Sequence, residues 1–164
     1  RMKQIILMRH GKSSWDYEVS DKDRPLKERG INDAYLVAKK FDYTNTSIDF
    51  AISSPANRAL HTSMIFLREI GFDLARFQVA RELYDFSGNS VTTFVKGLSD
   101  TLDTVMIFGH NYAFTTLANT RGDTYIENLP TAGLVRIEFD VDAWSKIKKG
   151  RTKQTIFPKH LKNT

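Results

Sequence analysis

The sequence predicts an α/β fold in which a mostly parallel sheet carries helices on both faces. Four short apolar runs, at residues 4–8, 48–53, 76–80 and 104–108, alternate with segments of helical periodicity. These runs are nearly continuous in hydrophobic residues, which is typical of parallel strands buried on both faces. We therefore expect a three-layer α/β/α sandwich.

The predicted helices lie at about residues 26–41, 55–70, 89–98 and 112–118. The second helix has the most clearly marked ends, with Ser54 as its N-cap, Pro55 in its first turn and Gly71 directly after its last residue. Beyond Pro130, residues 134–140 and 152–157 follow a period of two and are separated by a turn near 144–150. This pattern predicts an antiparallel pair of strands at one edge of the sheet.

Length and composition limit the possible functions. A chain of 164 residues fits a single domain, 1–164. The absence of cysteine excludes disulfides, thiolate metal sites and cysteine-nucleophile phosphatases. The first apolar run is too short for a signal peptide or a membrane span, so we expect a cytoplasmic protein without a membrane partner.

The net charge of +5 is concentrated late in the chain. We interpret this basic segment as a solvated hairpin and tail and expect no nucleic-acid partner. Docking of an acidic protein partner, with Lys148 and Lys149 in the contact, is the alternative.

Polar side chains follow every predicted parallel strand, and the carboxyl ends of such strands share one edge of the sheet, where ligands bind. Two of the four histidines occur at equivalent places, each beside a glycine at the end of an apolar strand. The candidate residues at these ends are Arg9, His10, Ser53, Ser54, Arg58, Arg81, Glu82, His110 and Asn111.

Two arginines and two histidines around one crevice make a receptor for a phosphate dianion. A guanidinium group can bind two phosphate oxygens at once, and it stays charged at any relevant pH. Such a pocket holds a phosphoryl group without a metal or a cofactor. Nearby cations also disfavour a protonated imidazole, so we expect His10 to be neutral and nucleophilic near pH 7.

Several motifs in this order resemble the histidine phosphatase superfamily, whose fold is phosphoglycerate mutase-like. They are Leu7-Met8-Arg9-His10-Gly11-Lys12, Arg24-Pro25-Leu26, Ser53-Ser54-Pro55 with Arg58 and Thr62, Gly109-His110-Asn111, and Phe157-Pro158-Lys159. The short length and the Leu129-Pro130-Thr131-Ala132-Gly133 segment are similar to the SixA-type phosphohistidine phosphatases.

The resemblance implies that His10 becomes phosphorylated and that Arg9, Arg58 and His110 complete the phosphate pocket. It also implies a carboxylic acid that protonates the leaving group, for which Glu82 is the best match. Asp85 is its rival, and a purely structural surface carboxylate is the other interpretation of Glu82.

Further candidates for phosphate or substrate binding are Ser13, Asn111 and Arg24. We interpret Asp21 and Asp23, by contrast, as ordinary loop charge.

Three functions remain open. The first is a metal-independent phosphatase acting on phosphohistidine in a phosphorelay or phosphocarrier domain, because a small chain leaves the cleft open to a protein. The second is a phosphatase of a small phosphorylated metabolite with Glu82 as acid. The third is a phospho-group binding module without turnover. We expect a monomer in each case.

Overall fold

The computed structural model describes residues 2–162 and contains one six-stranded sheet. The ends of the predicted domain, residues 1, 163 and 164, lie outside the described residues. The strands are β1 (Lys3–Arg9), β2 (Phe50–Ser53), β3 (Phe77–Val79), β4 (Thr104–Gly109), β5 (Leu134–Phe139) and β6 (Arg151–Ile156). The α-helices are α1 (Glu28–Asp42), α2 (Asn57–Glu69), α3 (Asn89–Lys96) and α4 (Ala113–Arg121).

The strand order is β3-β2-β4-β1-β5-β6, with β1 to β4 parallel and the last two strands antiparallel. The predicted fold class is confirmed, including the antiparallel edge. β1 lies in the middle of the sheet because its continuous apolar sequence is buried on both faces.

Alternate residues of β1 face two separate hydrophobic clusters. Ile5 and Leu7 pack on the side that carries α3 and α4. Ile6 and Met8 pack on the opposite side against residues of α1 and α2. Since successive side chains of a strand point to opposite faces, the helices form the two outer layers of an α/β/α sandwich.

The antiparallel strands bring two late segments to the carboxyl end of β1. Met8 is paired with Leu134, the first residue of β5, and Leu134 with Ile156, the last residue of β6. Residues just before β5 and just after β6 therefore lie at the same edge of the sheet as His10.

Some helix ends differ from the predicted ones. α1 begins at Glu28, two residues later than expected, and α2 begins at Asn57 with Ala56 as its N-cap. The predictions of Ser54 as the cap and of Pro55 in the first turn are wrong, because α2 begins only after Ala56. The Ser54 hydroxyl accepts from the Ala56 N–H and shares a hydrogen bond with His110. Gly71, with a φ of 71°, follows the end of α2 as predicted.

The loop after β1 packs directly on the first turn of α1. A Cβ atom added at Gly11 would lie 2.6 Å from the carbonyl oxygen of Gly30, and one added at Gly30 would lie 2.7 Å from the nitrogen of Lys12. Both positions require glycine, since this contact fixes the loop that carries His10. Across residues 2–162, no helix is both long and hydrophobic enough to cross a membrane.

Candidate active site

A cavity of about 300 Å³ opens where β1, β2 and β4 end. It brings six of the predicted site residues together, whereas His110 and Glu82 do not line it. The lining residues are Arg9, His10, Lys12, Ser13, Trp15, Asp21, Arg24, Arg58, Phe86, Asn111 and Thr131.

The ring of His10 is held in one tautomer. Its Nδ1 lies 2.7 Å from the carbonyl oxygen of Gly11. Because a carbonyl can only accept, Nδ1 donates and Nε2 keeps a free lone pair. Burial, together with the charges of His110, Arg58 and Arg9, lowers the pKa of His10 to about 3. At neutral pH this imidazole is uncharged, and its role as the nucleophile stays a prediction.

His110 is completely buried next to His10, with 5.3 Å between the ring centroids. Phe86 and Tyr84 pack against its ring at centroid distances of 4.9 and 5.4 Å. Its Nε2 and the Ser54 hydroxyl share a hydrogen bond of 2.8 Å, and its Nδ1 has no partner within residues 2–162. Burial and the Arg58 charge lower the pKa of His110 to about 3.

Arg9 and Arg24 are anchored by main-chain carbonyl groups. Arg9 donates from Nη1 to the Leu129 oxygen at 2.8 Å, and its buried Nε has no hydrogen-bond partner among the residues described. Arg24 donates from Nε to the Ser14 oxygen at 3.3 Å, and its guanidinium carbon lies 3.4 Å from the ring centroid of Trp15. Both guanidinium groups are thus oriented before any ligand binds.

Arg58 is fixed by Asp21, a residue that we had interpreted as loop charge. Arg58 donates from Nη1 to the Asp21 carbonyl at 2.6 Å and from Nη2 to its carboxylate at 2.9 Å. Tyr84 donates to the same carboxylate oxygen at 2.6 Å. The loop-charge interpretation of Asp21 is wrong, because the short helix Asp21–Asp23 folds over the start of α2.

The Asp21 carboxyl is held as an anion. Its partial burial works against ionisation, but the hydrogen bonds from Tyr84 and Arg58 outweigh this effect and keep the pKa of Asp21 below its usual range. Asp21 therefore orients Arg58 and carries a negative charge at neutral pH.

The hydroxyl of Ser13 and the side-chain amide of Asn111 form hydrogen bonds with other side chains of the protein. Ser13 accepts a hydrogen bond from Arg24 through its Oγ. Asn111 donates to Asn128 at 2.6 Å and accepts from the Thr115 hydroxyl at 2.7 Å. Both residues line the cavity, and their roles in phosphate binding stay predictions.

Glu82 is exposed and lines a different cavity, beside α3. It lies in the turn Arg81–Leu83, where the neighbouring Leu83 takes the buried position. The structure does not bring Glu82 to His10, and its role as an acid stays a prediction.

Asp85, the alternative to Glu82 as the acid, binds the backbone at the start of α3. It accepts hydrogen bonds from the backbone N–H groups of Ser87, Gly88 and Val91 at the start of α3. Burial opposes its ionisation, but these bonds prevail and keep the pKa of Asp85 below its usual range. Asp85 therefore accepts hydrogen bonds from the first turn of α3 as a carboxylate, and its role as an acid stays a prediction.

The cavity has the charge of an anion site. Arg9, Lys12, Arg24 and Arg58 contribute four cationic side chains, against the single carboxylate of Asp21. In the described part of the chain, no group of three or more histidine, aspartate or glutamate residues is arranged to hold a metal ion. A tetrahedral oxyanion is the ligand that best fits this charge and these donors.

A family model described as the histidine phosphatase superfamily (branch 1) matches residues 5–101. The chain belongs to the histidine phosphatase superfamily. This membership confirms the resemblance seen in the sequence, and it supports a phosphatase activity. The matched residues include His10, Asp21, Arg24 and Arg58.

Two curated relatives show how this member of the superfamily compares in sequence. The uncharacterised protein Rv1276c of Mycobacterium tuberculosis is 27% identical over 153 residues, which cover 87% of this chain and 93% of the relative. The 2,3-bisphosphoglycerate-dependent phosphoglycerate mutase of Staphylococcus aureus is 38% identical over 71 residues, only 42% of this chain and 31% of the mutase.

Two solved structures share the fold of this chain. The candidate phosphohistidine phosphatase SixA from Agrobacterium tumefaciens has a TM-score of 0.79 at 24% identity, covering 95% of this chain and 98% of the other. The protein histidine phosphatase SixA complexed with tungstate has a TM-score of 0.80 at 21% identity, covering 97% and 99%.

Proposed function

We propose that the chain hydrolyses phosphohistidine on a protein and that His10 carries the phosphoryl group between the two half-reactions. One observation carries the proposal: the carboxyl that lines the cavity, Asp21, is held ionised, and Glu82 lies in another cavity. A phosphoester needs an acid to protonate its alkoxide. A phosphohistidine ring that carries a proton on its other nitrogen leaves as neutral imidazole, whose conjugate acid has a pKa of about 6.5, and it needs none.

The first half-reaction transfers the phosphoryl group to His10. Arg9, Arg24, Arg58 and Lys12 bind the phosphoryl oxygens, and Nε2 of His10 attacks phosphorus in line with the bond to the substrate imidazole. The P–N bond of the substrate breaks, its electron pair stays on the departing nitrogen, and the ring leaves as neutral imidazole because its other nitrogen keeps the proton that it already carried.

The second half-reaction returns the enzyme to its starting state. Water attacks the phosphoryl group on His10, the new P–N bond breaks, and inorganic phosphate leaves. The net reaction consumes one water and yields histidine and phosphate. Nδ1 of His10 keeps its proton throughout, because the Gly11 carbonyl holds it.

We propose that no metal takes part. Four cationic side chains among the described residues supply the charge that stabilises the transferring phosphoryl group. His110 lies beside His10, with 5.3 Å between the ring centroids, and its part in binding the phosphoryl group stays a prediction.

The similar SixA proteins support a protein substrate, since one is described as a phosphohistidine phosphatase and the other as a protein histidine phosphatase. The exposed aromatic side chains of Trp15 and Phe86 at the rim of the cavity also favour a protein over a small metabolite.

A substrate panel tests the proposal. The purified protein is given a phosphohistidine-bearing phosphotransfer domain, and separately a set of phosphorylated metabolites, with and without EDTA. We expect phosphate release from the domain, unaffected by EDTA, and much slower release from the esters. Hydrolysis of the metabolites alone would establish a metabolite phosphatase. Phosphate binding without any turnover would establish a binding module.

A further inference from the structure

We propose that a second cavity, beside the phosphate cavity, binds acidic side chains of the protein that carries the phosphohistidine. This anion subsite has a volume of about 330 Å³. The identity of its ligand as a protein rests on the proposed function. Its lining residues are Arg29, Asp33, Pro130, Thr131, Pro158, Lys159 and Lys162.

The anion subsite adjoins the phosphate cavity. Thr131 lines both cavities, so one surface connects them. Because β5 and β6 are antiparallel, Thr131 and Lys159 both lie at the carboxyl end of β1, where His10 is found. A protein whose phosphohistidine enters the first cavity places its neighbouring residues over the second.

The charge of the anion subsite favours a negative ligand. Among residues 2–162, three cationic side chains line it, Arg29, Lys159 and Lys162, against one carboxylate. That carboxylate, Asp33, is 1% exposed and lies 2.7 Å from Lys162 and 3.7 Å from Arg29. Its charge is therefore covered by these two cations, and the surface that a ligand meets is positive.

The anion subsite includes some of the late basic residues, such as Lys159, but not Lys148 and Lys149. Lys148 and Lys149 precede β6, whose first residue, Arg151, is paired with Glu138 near the far end of the sheet. Only the later part, which includes Lys159, borders the active site. The structure therefore favours Lys159 over Lys148 and Lys149 for docking of an acidic partner at the catalytic edge.

Two double variants with the same loss of charge test the subsite. The variant R29Q/K159Q removes two cations from the anion subsite and leaves Lys162 to pair with Asp33. The matched control, K148Q/K149Q, removes two cations at the opposite end of the sheet. kcat/KM is measured with a phosphohistidine-bearing phosphotransfer domain and with phosphoramidate, which is too small to reach both cavities.

We expect R29Q/K159Q to lower kcat/KM for the phosphorylated domain about five- to tenfold more than for phosphoramidate, as for the loss of two partly exposed ion pairs. The remaining rate should depend less on salt, because charge attraction between the partners is reduced. K148Q/K149Q should leave both substrates within twofold of the unmodified protein, about the scatter of surface substitutions.

Equal losses in the two double variants, or equal losses for the two substrates, would overturn the subsite. Binding of a hexaglutamate peptide separates this outcome from failure of the proposed function. If the unmodified protein does not hydrolyse the domain, yet the peptide binds and R29Q/K159Q alone weakens it, the phosphohistidine proposal is wrong and the subsite stands. Peptide binding that is equal in the two variants contradicts the subsite.

Discussion

Two buried neutral histidines should make the stability of this protein fall steeply in mild acid. The pKa values of His10 and His110 are lowered to about 3 in the folded protein, mainly by burial. In the unfolded chain both imidazoles return to a pKa of about 6.5. Between these values the unfolded state binds more protons than the folded state, so the free energy of unfolding decreases as the pH falls.

The magnitude follows from the two pKa values. For one histidine with a folded pKa of about 3, lowering the pH from 7 to 5 reduces the free energy of unfolding by about 2 kcal/mol. The two histidines together give about 4 kcal/mol, roughly a third or more of the stability of a typical domain. Above about pH 6.5 this loss of stability is absent, and it grows progressively as the pH falls towards 3.

Urea unfolding at pH 7 and pH 5 measures this effect. In His10→Asn the difference between the two pH values should shrink to about half, because only His110 still takes up a proton on unfolding. His61→Asn is the matched control, since His61 is exposed on α2 and should leave the difference unchanged. A His10→Asn protein with the full pH dependence of the unmodified protein would refute the buried, neutral state of His10.

Two further variants test how the site is held. Asp21→Asn should lower kcat/KM for the phosphorylated domain about tenfold, as expected for losing a partly exposed charged hydrogen bond. Asp23→Asn, in the same short helix, should stay within about twofold, and a similar loss in both would show that Asp21 does not position Arg58. Gly30→Ala should lower the free energy of unfolding by roughly 1–2 kcal/mol, because the overpacking exceeds the gain in helix propensity. Asn32→Ala, at an exposed position of the same helix, should not lower the free energy of unfolding. If Gly30→Ala is as stable in urea as Asn32→Ala, the fold does not require glycine at the contact with Lys12.

The sequence predicts the part of the site that sits on regular structure. Arg9, His10 and His110 follow apolar strands, and Arg58 lies in the first turn of α2, so the periodic pattern alone places them at one sheet edge. All of these positions follow from patterns among residues that are close together in the sequence.

Asp21 was missed because its partner is 37 residues away and no periodicity marks the loop between β1 and α1. Glu82 was expected in the site because it follows β3, but burial of Leu83 and the capping of α3 by Asp85 decide where its side chain lies. Contacts of this kind depend on how loops pack against helices, which a local pattern does not encode.

The central claim is that His10 accepts the phosphoryl group. The most direct measurement mixes excess enzyme with a ³²P-labelled phosphohistidine domain, quenches within milliseconds in alkaline detergent, and maps the labelled peptide by mass spectrometry. The label should pass transiently through the peptide that contains His10, at its imidazole, and His10→Ala should carry no label and release no phosphate. Label on any other residue, or phosphate release from His10→Ala at the unmodified rate, would contradict the account.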